Sequence, residues 1–375
     1  MAPSSRKKVL VLAGTRPEII KMAPVVHALS RHARLEPLFC YSGQHRELAA
    51  PFLRFFGLEP QAELDLMRPG QSLGSLTARA SSQIDEFLNT HGKTLSAVLV
   101  QGDTTTAFVG ALIAFYHRLP VGHVEAGLRT STIEEPFPEE LNRRLITRVA
   151  RWHFAPTEAA CRSLRAEQVP EKDIFMTGNT GIDALLWARS RVVEPSLPEL
   201  RQAAGRPLIL VTAHRRENIG APLERIVVAL KDLAKRFPLH QFVLPVHKNP
   251  AVEAAIRGAL SGIANMHLLP PLDYPDLVWC MDRCELILSD SGGIQEEAPS
   301  LRKPVLVLRN ETERPEAVEF GTSILVGSDH DKIVGLAADF LEGRRKLTLP
   351  PGARSPFGDG TAAQQIADVL ARGLG

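Results

Sequence analysis

The sequence predicts an α/β protein made of two doubly wound parallel-sheet domains, and three features carry that expectation. Short apolar runs recur along the chain, each closes on a glycine or a polar residue, and each is followed by a stretch with helical spacing. A short run that is apolar throughout suits a strand buried on both faces. Strands that alternate with helices wind into parallel sheets. The runs are 9–13, 37–41, 97–101, 121–124, 153–155 and 174–177 in the first half, and 208–211, 242–246, 266–269, 286–288, 305–308 and 324–326 in the second. Twelve strands exceed an ordinary single sheet. Two sheets and two Rossmann-like domains are therefore expected, and 375 residues suit two domains of usual size.

The boundary is expected at Gly178-Asn179-Thr180-Gly181, whose two glycines suit a hinge. Residues 1–177 then form a first domain and 178–360 a second. The stretch 192–207 is polar and contains prolines, which suits a loop or short helix ahead of the second sheet. Beyond Asp359 the tail places Ile366, Val369 and Leu370 on one face of a short amphipathic helix.

With 44% hydrophobic and 23% charged residues, the composition is that of a soluble globular protein that needs no disulfide. Cys40, Cys161, Cys280 and Cys284 form no CxxC pair and show no zinc spacing. They read as buried free thiols in a reducing compartment. A net charge of +2 lacks the basic excess of a nucleic-acid binder. The first apolar run stops sharply at Gly14-Thr15-Arg16-Pro17, too soon for a signal peptide, and no run is long enough to span a membrane. The expectation is a cytoplasmic protein.

In a wound parallel sheet, ligands bind beyond the carboxyl ends of the strands. In the first half the strand ends carry Thr15, Arg16 and Lys21, then Gln44-His45-Arg46, then Asp103-Thr104-Thr105-Thr106, then Glu125, Gly127 and Arg129. In the second half they carry His214-Arg215-Arg216, His247-Lys248-Asn249, Asp290-Ser291-Gly292-Gly293, and Arg309 with Arg314 just beyond. Carboxylates gather in the first domain, and imidazoles, arginines and a glycine pair in the second. That division points to an anionic leaving group on the second domain and acid/base chemistry on the first. Each element has a plainer alternative. Asp103 before a threonine run is also a helix cap. Glu125 is also a surface carboxylate, Gly292-Gly293 also a tight turn, and Arg215-Arg216 also a solvated pair. Ser291-Gly292-Gly293 between a strand and a helix would equally present backbone N–H groups to a phosphate.

Several motifs occur together and in order: Gly14-Thr15-Arg16-Pro17-Glu18 with Lys21, Gly102-Asp103-Thr104-Thr105-Thr106, and Gly122-His123-Val124-Glu125-Ala126-Gly127-Leu128-Arg129. Pro138-Glu139-Glu140, Asn142-Arg143, His214-Arg215-Arg216-Glu217-Asn218 and Pro245-Val246-His247 continue the series. It ends with Ser289-Asp290-Ser291-Gly292-Gly293-Ile294-Gln295-Glu296-Glu297 and Thr312-Glu313-Arg314-Pro315-Glu316. In these segments the chain resembles the bacterial non-hydrolysing UDP-N-acetylglucosamine 2-epimerases.

The resemblance implies a fold like that of the two-domain nucleotide-sugar glycosyltransferases, with the active site in the cleft facing both domains. It implies that the C-terminal helix, 361–375, completes the first domain, and that the molecule is a homodimer. It implies reversible conversion of UDP-GlcNAc to UDP-ManNAc, a precursor of bacterial surface polysaccharide. The positions matching acid/base carboxylates are Asp103, Glu125 and Glu139. Those lining the diphosphate or sugar are Arg16, Lys21, His214, Ser291, Gly292, Gly293 and Arg314, with Glu297 on the ribose. Leu272 and Leu277 stand where relatives carry Gln and Phe near the uracil. Gln44 and His247 match parts of a second-ligand site found in relatives that a second substrate molecule activates; Glu47 and Gly70 replace a Gln and an Arg of that site.

The chemistry fits these residue types. The proton on carbon 2 is not acidic, so its removal must be coupled to departure of UDP. Fixed donors at the leaving group stabilise the growing charge, and a carboxylate takes the proton. Inversion handles protons on two faces and needs two such groups. No metal cluster and no full dinucleotide fingerprint is evident, so neither metal nor redox cofactor is expected. A glycosyltransferase would show an acceptor groove, and a non-catalytic sensor would keep the phosphate donors without the carboxylates. A hydrolysing relative that releases ManNAc and UDP is the nearest alternative within the family.

Overall fold

The structure, a computed structural model, describes residues 6–43, 46–215, 218–247, 249–349 and 352–375, with only the backbone of 46–48. The chain divides into two compact units, Met1–Ala184 with Gly358–Gly375, and Leu185–Phe357.

Among the described residues the first unit holds seven strands: β1 (Lys7–Ala13), β2 (Leu35–Tyr41), β3 (Ala62–Glu63), β4 (Leu95–Gln101), β5 (Val121–Val124), β6 (Trp152–Ala155) and β7 (Ile174–Met176). Their spatial order is β3-β2-β1-β4-β5-β6-β7, with parallel pairing throughout. The second unit holds β8 (Leu208–Thr212), β9 (Gln241–Pro245), β10 (Met266–Leu269), β11 (Cys284–Ser289), β12 (Val305–Val307) and β13 (Ser323–Leu325). Their order is β10-β9-β8-β11-β12-β13, again all parallel. All twelve expected runs are strands. The additional one, β3, is a two-residue edge strand too short and too polar to register as an apolar run.

The inner strands form where residues can be buried on both faces. β1 opens on exposed Lys7 and then buries Val9 to Ala13 completely or nearly so. At Gly122 in β5 an added Cβ would meet Leu99 Cδ2 at 2.5 Å and Phe154 Cε2 at 3.1 Å, so close strand packing requires glycine there. One core gathers Leu12, Val100, Val109 and Ile146 in the first unit. Another gathers Val211, Leu230, Phe242, Leu288 and Ile333 in the second. All four cysteines are buried and free.

The C-terminal helix Ala362–Gly373 belongs to the first unit and buries Ile366, Val369 and Leu370. Its first turn is held by Asp183, whose carboxylate accepts from Ala362 N at 3.3 Å and Ala363 N at 2.9 Å. Burial pushes the Asp183 carboxyl up to about 6 despite those bonds. No helix among the described residues is long and apolar enough to cross a membrane.

In both sheets the chain first winds to one side and then crosses to the other. The strand order therefore reverses between β1 and β4 in one unit and between β8 and β11 in the other. Such reversals open a crevice at the carboxyl ends of the flanking strands.

Candidate active site

In the first unit, β1 passes through Gly14-Thr15 into the helix Arg16–Arg31. Thr15 caps that helix, Pro17 sits in its first turn, and Glu18 completes a capping box. Arg16 is exposed at the start of the helix. β4 passes through Gly102, at φ 68°, to Asp103 and Thr104. Thr104 caps the helix Thr105–Tyr116, accepting from Ala107 N at 3.0 Å. Capping thus falls to Thr104, and the Asp103 carboxylate lies 3.5 Å from Arg143 Nη1 instead. Asn142 Nδ2 donates to the Asp103 carbonyl at 2.8 Å.

Glu125 follows β5 with φ 66°, a left-handed backbone that costs a non-glycine residue about 1–3 kcal/mol. Its side chain is only 9% exposed, is ion-paired with Lys21 and accepts from the Gln101 amide, so it is no surface carboxylate. Behind it, the fully buried His123 places Nε2 2.7 Å from the Gly102 carbonyl. A carbonyl only accepts, so Nε2 carries the proton. Burial, above all, lowers His123 to about 3 and keeps the ring neutral.

Glu139 opens the helix Glu139–Val149. It precedes Asn142 and Arg143 by three and four residues and so shares their face. Its Oε2 is buried and has no hydrogen-bond partner among the described residues, and the same holds for Arg143 Nη2. Native structures rarely leave such groups unpaired without a ligand or water to meet them. The neighbouring Glu140 is structural: it is fully buried and lies 3.2 Å from Arg143 Nε and 2.8 Å from Arg144 Nε.

In the second unit, β8 leads to His214-Arg215 and β11 to Asp290-Ser291. Asp290 is 0% exposed and organises both loops. Its Oδ2 accepts from His214 N at 2.8 Å, Arg215 N at 2.8 Å and Asn218 Nδ2 at 3.0 Å. Its Oδ1 lies 3.1 Å from His214 Nδ1. Burial alone would raise this carboxyl, but His214 and the N–H donors outweigh it and hold it below the usual range. With Nδ1 facing Asp290, His214 keeps Nε2 for a ligand.

Ser291 caps the helix Gly292–Leu301 without a side-chain bond. Gly292 and Gly293 are its first two residues, so the pair is a helix start and not a tight turn. An added Cβ on Gly292 would lie 3.6 Å from Arg215 Nη2 and 3.8 Å from Arg314 Nη2. Two guanidinium groups therefore flank a helix N-terminus whose backbone N–H groups lack intrahelical partners. Both features favour a bound anion. Arg314 is held there by Glu296, Nε to Oε1 at 2.5 Å. Arg309, also at a strand end, is engaged differently: it forks onto Glu313 at 2.7 and 3.0 Å and draws that carboxyl down to about 2.

Glu297 lies on the same helix, and the buried Tyr274 hydroxyl donates to its Oε1 at 3.5 Å. Leu272 sits between β10 and the helix Tyr274–Arg283, and Leu277 inside that helix; both are partly buried. Tyr274, between them, is what ties this segment to Glu297. His247 is exposed, with its ring stacked 6.2 Å from His214. Gln44 and the Glu47 side chain lie outside the described residues.

The structure thus joins Lys21 to Glu125, Asp103 to the Glu139 helix, and His214, Ser291, Gly292 and Arg314 around one helix start. Sequence reasoning gave no site role to Glu18, Gln101, Arg143 and Glu296, and placed Arg215 and Asp290 at strand ends without assigning their partners. Most stand inside the quoted motifs, which was the available signal.

Fold and strand-end chemistry together define a class: a two-unit parallel α/β protein with carboxylates at the strand ends of one unit and a helix start flanked by guanidinium groups at those of the other. Within that class the chain belongs to the UDP-N-acetylglucosamine 2-epimerase family, whose model matches residues 27–371. The UDP-N-acetylglucosamine 2-epimerase of Yersinia pestis is 48% identical over 372 residues, covering 97% of this chain and 98% of the relative. The enzyme of the same name from Escherichia coli K12 is 45% identical over 370 residues, with 97% and 98% covered. The crystal structure of UDP-GlcNAc 2-epimerase from Neisseria meningitidis bound to UDP-GlcNAc is 42% identical and superposes with a TM-score of 0.84, covering 97% of this chain and all of that one. The resemblance read from the motifs therefore holds along nearly the whole chain.

Proposed function

We propose that this chain interconverts UDP-GlcNAc and UDP-ManNAc by eliminating UDP to a bound 2-acetamidoglucal and adding it back. The observation that carries this reading is the helix start at Gly292 flanked by Arg215 and Arg314, in a protein whose other crevice is lined by carboxylates. The UDP-GlcNAc bound by the Neisseria meningitidis relative supports the substrate.

The second unit takes the diphosphate. His214 Nε2, Arg314 and the amides of Ser291, Gly292 and Gly293 meet the charge that grows as the bond from carbon 1 to the phosphate oxygen breaks. Arg16 and Lys21 contribute positive charge from the first unit, Glu297 takes the ribose hydroxyls, and the segment of Leu272 and Leu277 covers the uracil. A carboxylate removes the carbon-2 proton as the bonding pair forms the glycal double bond. A second group returns a proton to the opposite face while UDP re-adds at carbon 1. Asp103, Glu125 and Glu139 supply these acid/base groups, and Glu125, ion-paired with Lys21, also steadies that lysine. His247, with Gln44, contributes to a second nucleotide-sugar site.

The first unit, Met1–Ala184 with Gly358–Gly375, acts as the acid/base domain, and the second, Leu185–Phe357, as the diphosphate domain. The active form is a homodimer, an assembly that would cover the exposed Phe115, Tyr116, Leu141 and Leu145 of two packed helices. It works in the cytoplasm, where four free cysteines remain reduced, and feeds surface-polysaccharide synthesis.

The test is an NMR time course with UDP-GlcNAc in deuterated water. UDP-ManNAc should form with deuterium at carbon 2 while total nucleotide-linked sugar stays nearly constant. Release of free ManNAc and UDP in step and to completion would establish a hydrolase instead, and no reaction without an acceptor would point to a transferase.

A further inference from the structure

Glu18 does more than complete a capping box. In a capping box the N3 carboxylate reaches back to the N-cap backbone N–H. Here Glu18 is 2% exposed and both oxygens are used. Oε2 accepts from Gly14 N at 3.1 Å, Thr15 N at 2.7 Å and Thr15 Oγ1 at 2.8 Å. Oε1 accepts from Thr104 Oγ1 at 2.8 Å, across 86 residues of sequence. Thr104 in turn caps the next helix through Ala107 N. One buried carboxylate thus ties the loop after β1, which carries Arg16, to the loop after β4, which carries Asp103. These are the two strands that flank the switch point of the first unit.

We propose that Glu18 is a positioning residue that sets the spacing of the Arg16 and Asp103 loops through its bridge to Thr104, and so holds Asp103 in register with the sugar. This rests on the epimerase reading above. The bridge is geometric, which separates it from a purely electrostatic role. A glutamine of the same length keeps its oxygen on Gly14 and Thr15 and turns its amide to Thr104, whose hydroxyl can accept. An aspartate keeps the charge but is one methylene short. A displacement of about 1 Å at a reacting group lowers turnover by about 10²-fold.

The experiment compares Glu18→Asp, Glu18→Gln, Thr104→Val and Thr104→Ser with the full-length wild type, whose conversion of UDP-GlcNAc to UDP-ManNAc is measured first. Failure of that wild-type reaction would overturn the functional reading and not the bridge, which the exchange measurement below tests independently. The Asp variant should lose about 10²-fold in kcat and the Val variant about 10-fold, with KM and UDP affinity changed less than about threefold. The Gln and Ser variants should stay within about fivefold of wild type. Amide hydrogen exchange across 101–108 should quicken in the Asp and Val variants and remain slow in the other two. A merely structural cap would lower Tm and leave kcat intact in assays well below Tm. That result, an equal loss in Gln and Asp, or unchanged exchange in the Asp variant would each overturn the proposal.

Discussion

Apart from β7, the two units share one strand order, yet their switch-point crevices carry opposite chemistry. In the first unit the ends of β1, β4 and β5 hold carboxylates, each engaged internally: Glu18 with Thr104, Glu125 with Lys21, and Asp103 with Arg143. In the second unit a single buried carboxylate, Asp290, gathers backbone and side-chain donors and leaves His214, Arg215 and Arg314 around an open helix start. Topology decides where a crevice opens; the handful of residues at the strand ends decides what it can do. A carboxylate-lined crevice suits proton transfer, and a cationic one with aligned amides suits an anion.

The largest effect should come from removing the acid/base function of the first crevice. Asp103→Asn and Glu139→Gln preserve size and most hydrogen bonding while deleting the base. Each should lower kcat by about 10²- to 10⁴-fold and leave UDP affinity near that of wild type. Calorimetry with UDP beside steady-state kinetics checks the split. Equal losses in UDP affinity would erase the functional contrast between the crevices, and full activity in both variants would remove them from acid/base work. Glu125→Gln sharpens the point: if Glu125 steadies Lys21, its loss should mimic Lys21→Ala in KM as well as in kcat.

Disturbing the second crevice should have the converse signature. Hydrogen bonds to charged groups contribute about 1.5–3 kcal/mol, so Arg314→Ala should weaken UDP binding by about 10- to 100-fold. His214→Ala should weaken UDP and lower kcat together, because the proposed reading places Nε2 on the leaving group in ground and transition states alike. Glu296→Gln tests the support behind Arg314. It should weaken UDP less than Arg314→Ala does, since the guanidinium loses its anchor but not its charge.

A smaller difference should appear in stability toward acid. His123 and His153 are both buried in the first sheet, and burial lowers them to about 3 and about 4 from the ordinary 6.5. Between those values the unfolded chain binds protons that the native state refuses, so these groups lose their stabilising effect as pH falls below 6.5. Asp183, raised to about 6, works the other way over part of the same range, because there the native state is the one that binds the proton. A variant isolates the sign. Unfolding free energies from urea titration should fall faster for wild type than for His153→Leu from pH 6 to pH 4.5, by up to about 1.4 kcal/mol per pH unit for one proton. Parallel pH curves would show that His153 does not titrate on unfolding.

Much of this was legible in the sequence because the two sheets are parallel and buried. Strands of that kind announce themselves as apolar runs, and their polar successors are where ligands bind. β3 escaped because an edge pair of one alanine and one glutamate carries no such signal. The partners within each crevice were not legible. Lys21 and Glu125 are 104 residues apart, and Glu18 and Thr104 are 86 apart, so neither pairing follows from local spacing. Nor could the chain alone say that Thr104, and not Asp103, caps the helix Thr105–Tyr116, because both residue types serve that role. Gly292-Gly293 read equally as a turn or a helix start, and only the flanking arginines from distant loops give the pair its character.

The smallest expected effect is that of chelation, and the contrast between the crevices explains why. A divalent ion in a nucleotide-sugar enzyme commonly neutralises the diphosphate as it leaves. On the reading proposed above, His214, two guanidinium groups and the amides of a helix start in the second unit would meet that charge. In the first unit, Glu125 and Asp103 face Lys21 and Arg143, which compete with a cation for the same oxygens. Among the described residues no group of three His, Cys, Asp or Glu side chains converges as a metal site. Turnover in excess EDTA should therefore match turnover without it, and added magnesium or manganese should change kcat by less than about twofold, well short of the several kcal/mol a Lewis acid supplies. The informative version of the assay is run on Arg314→Ala. If the guanidinium substitutes for a cation, this variant should become sensitive to magnesium while wild type stays indifferent. Loss of wild-type turnover on chelation, restored by a divalent ion, would show that the second crevice does not hold the diphosphate by itself.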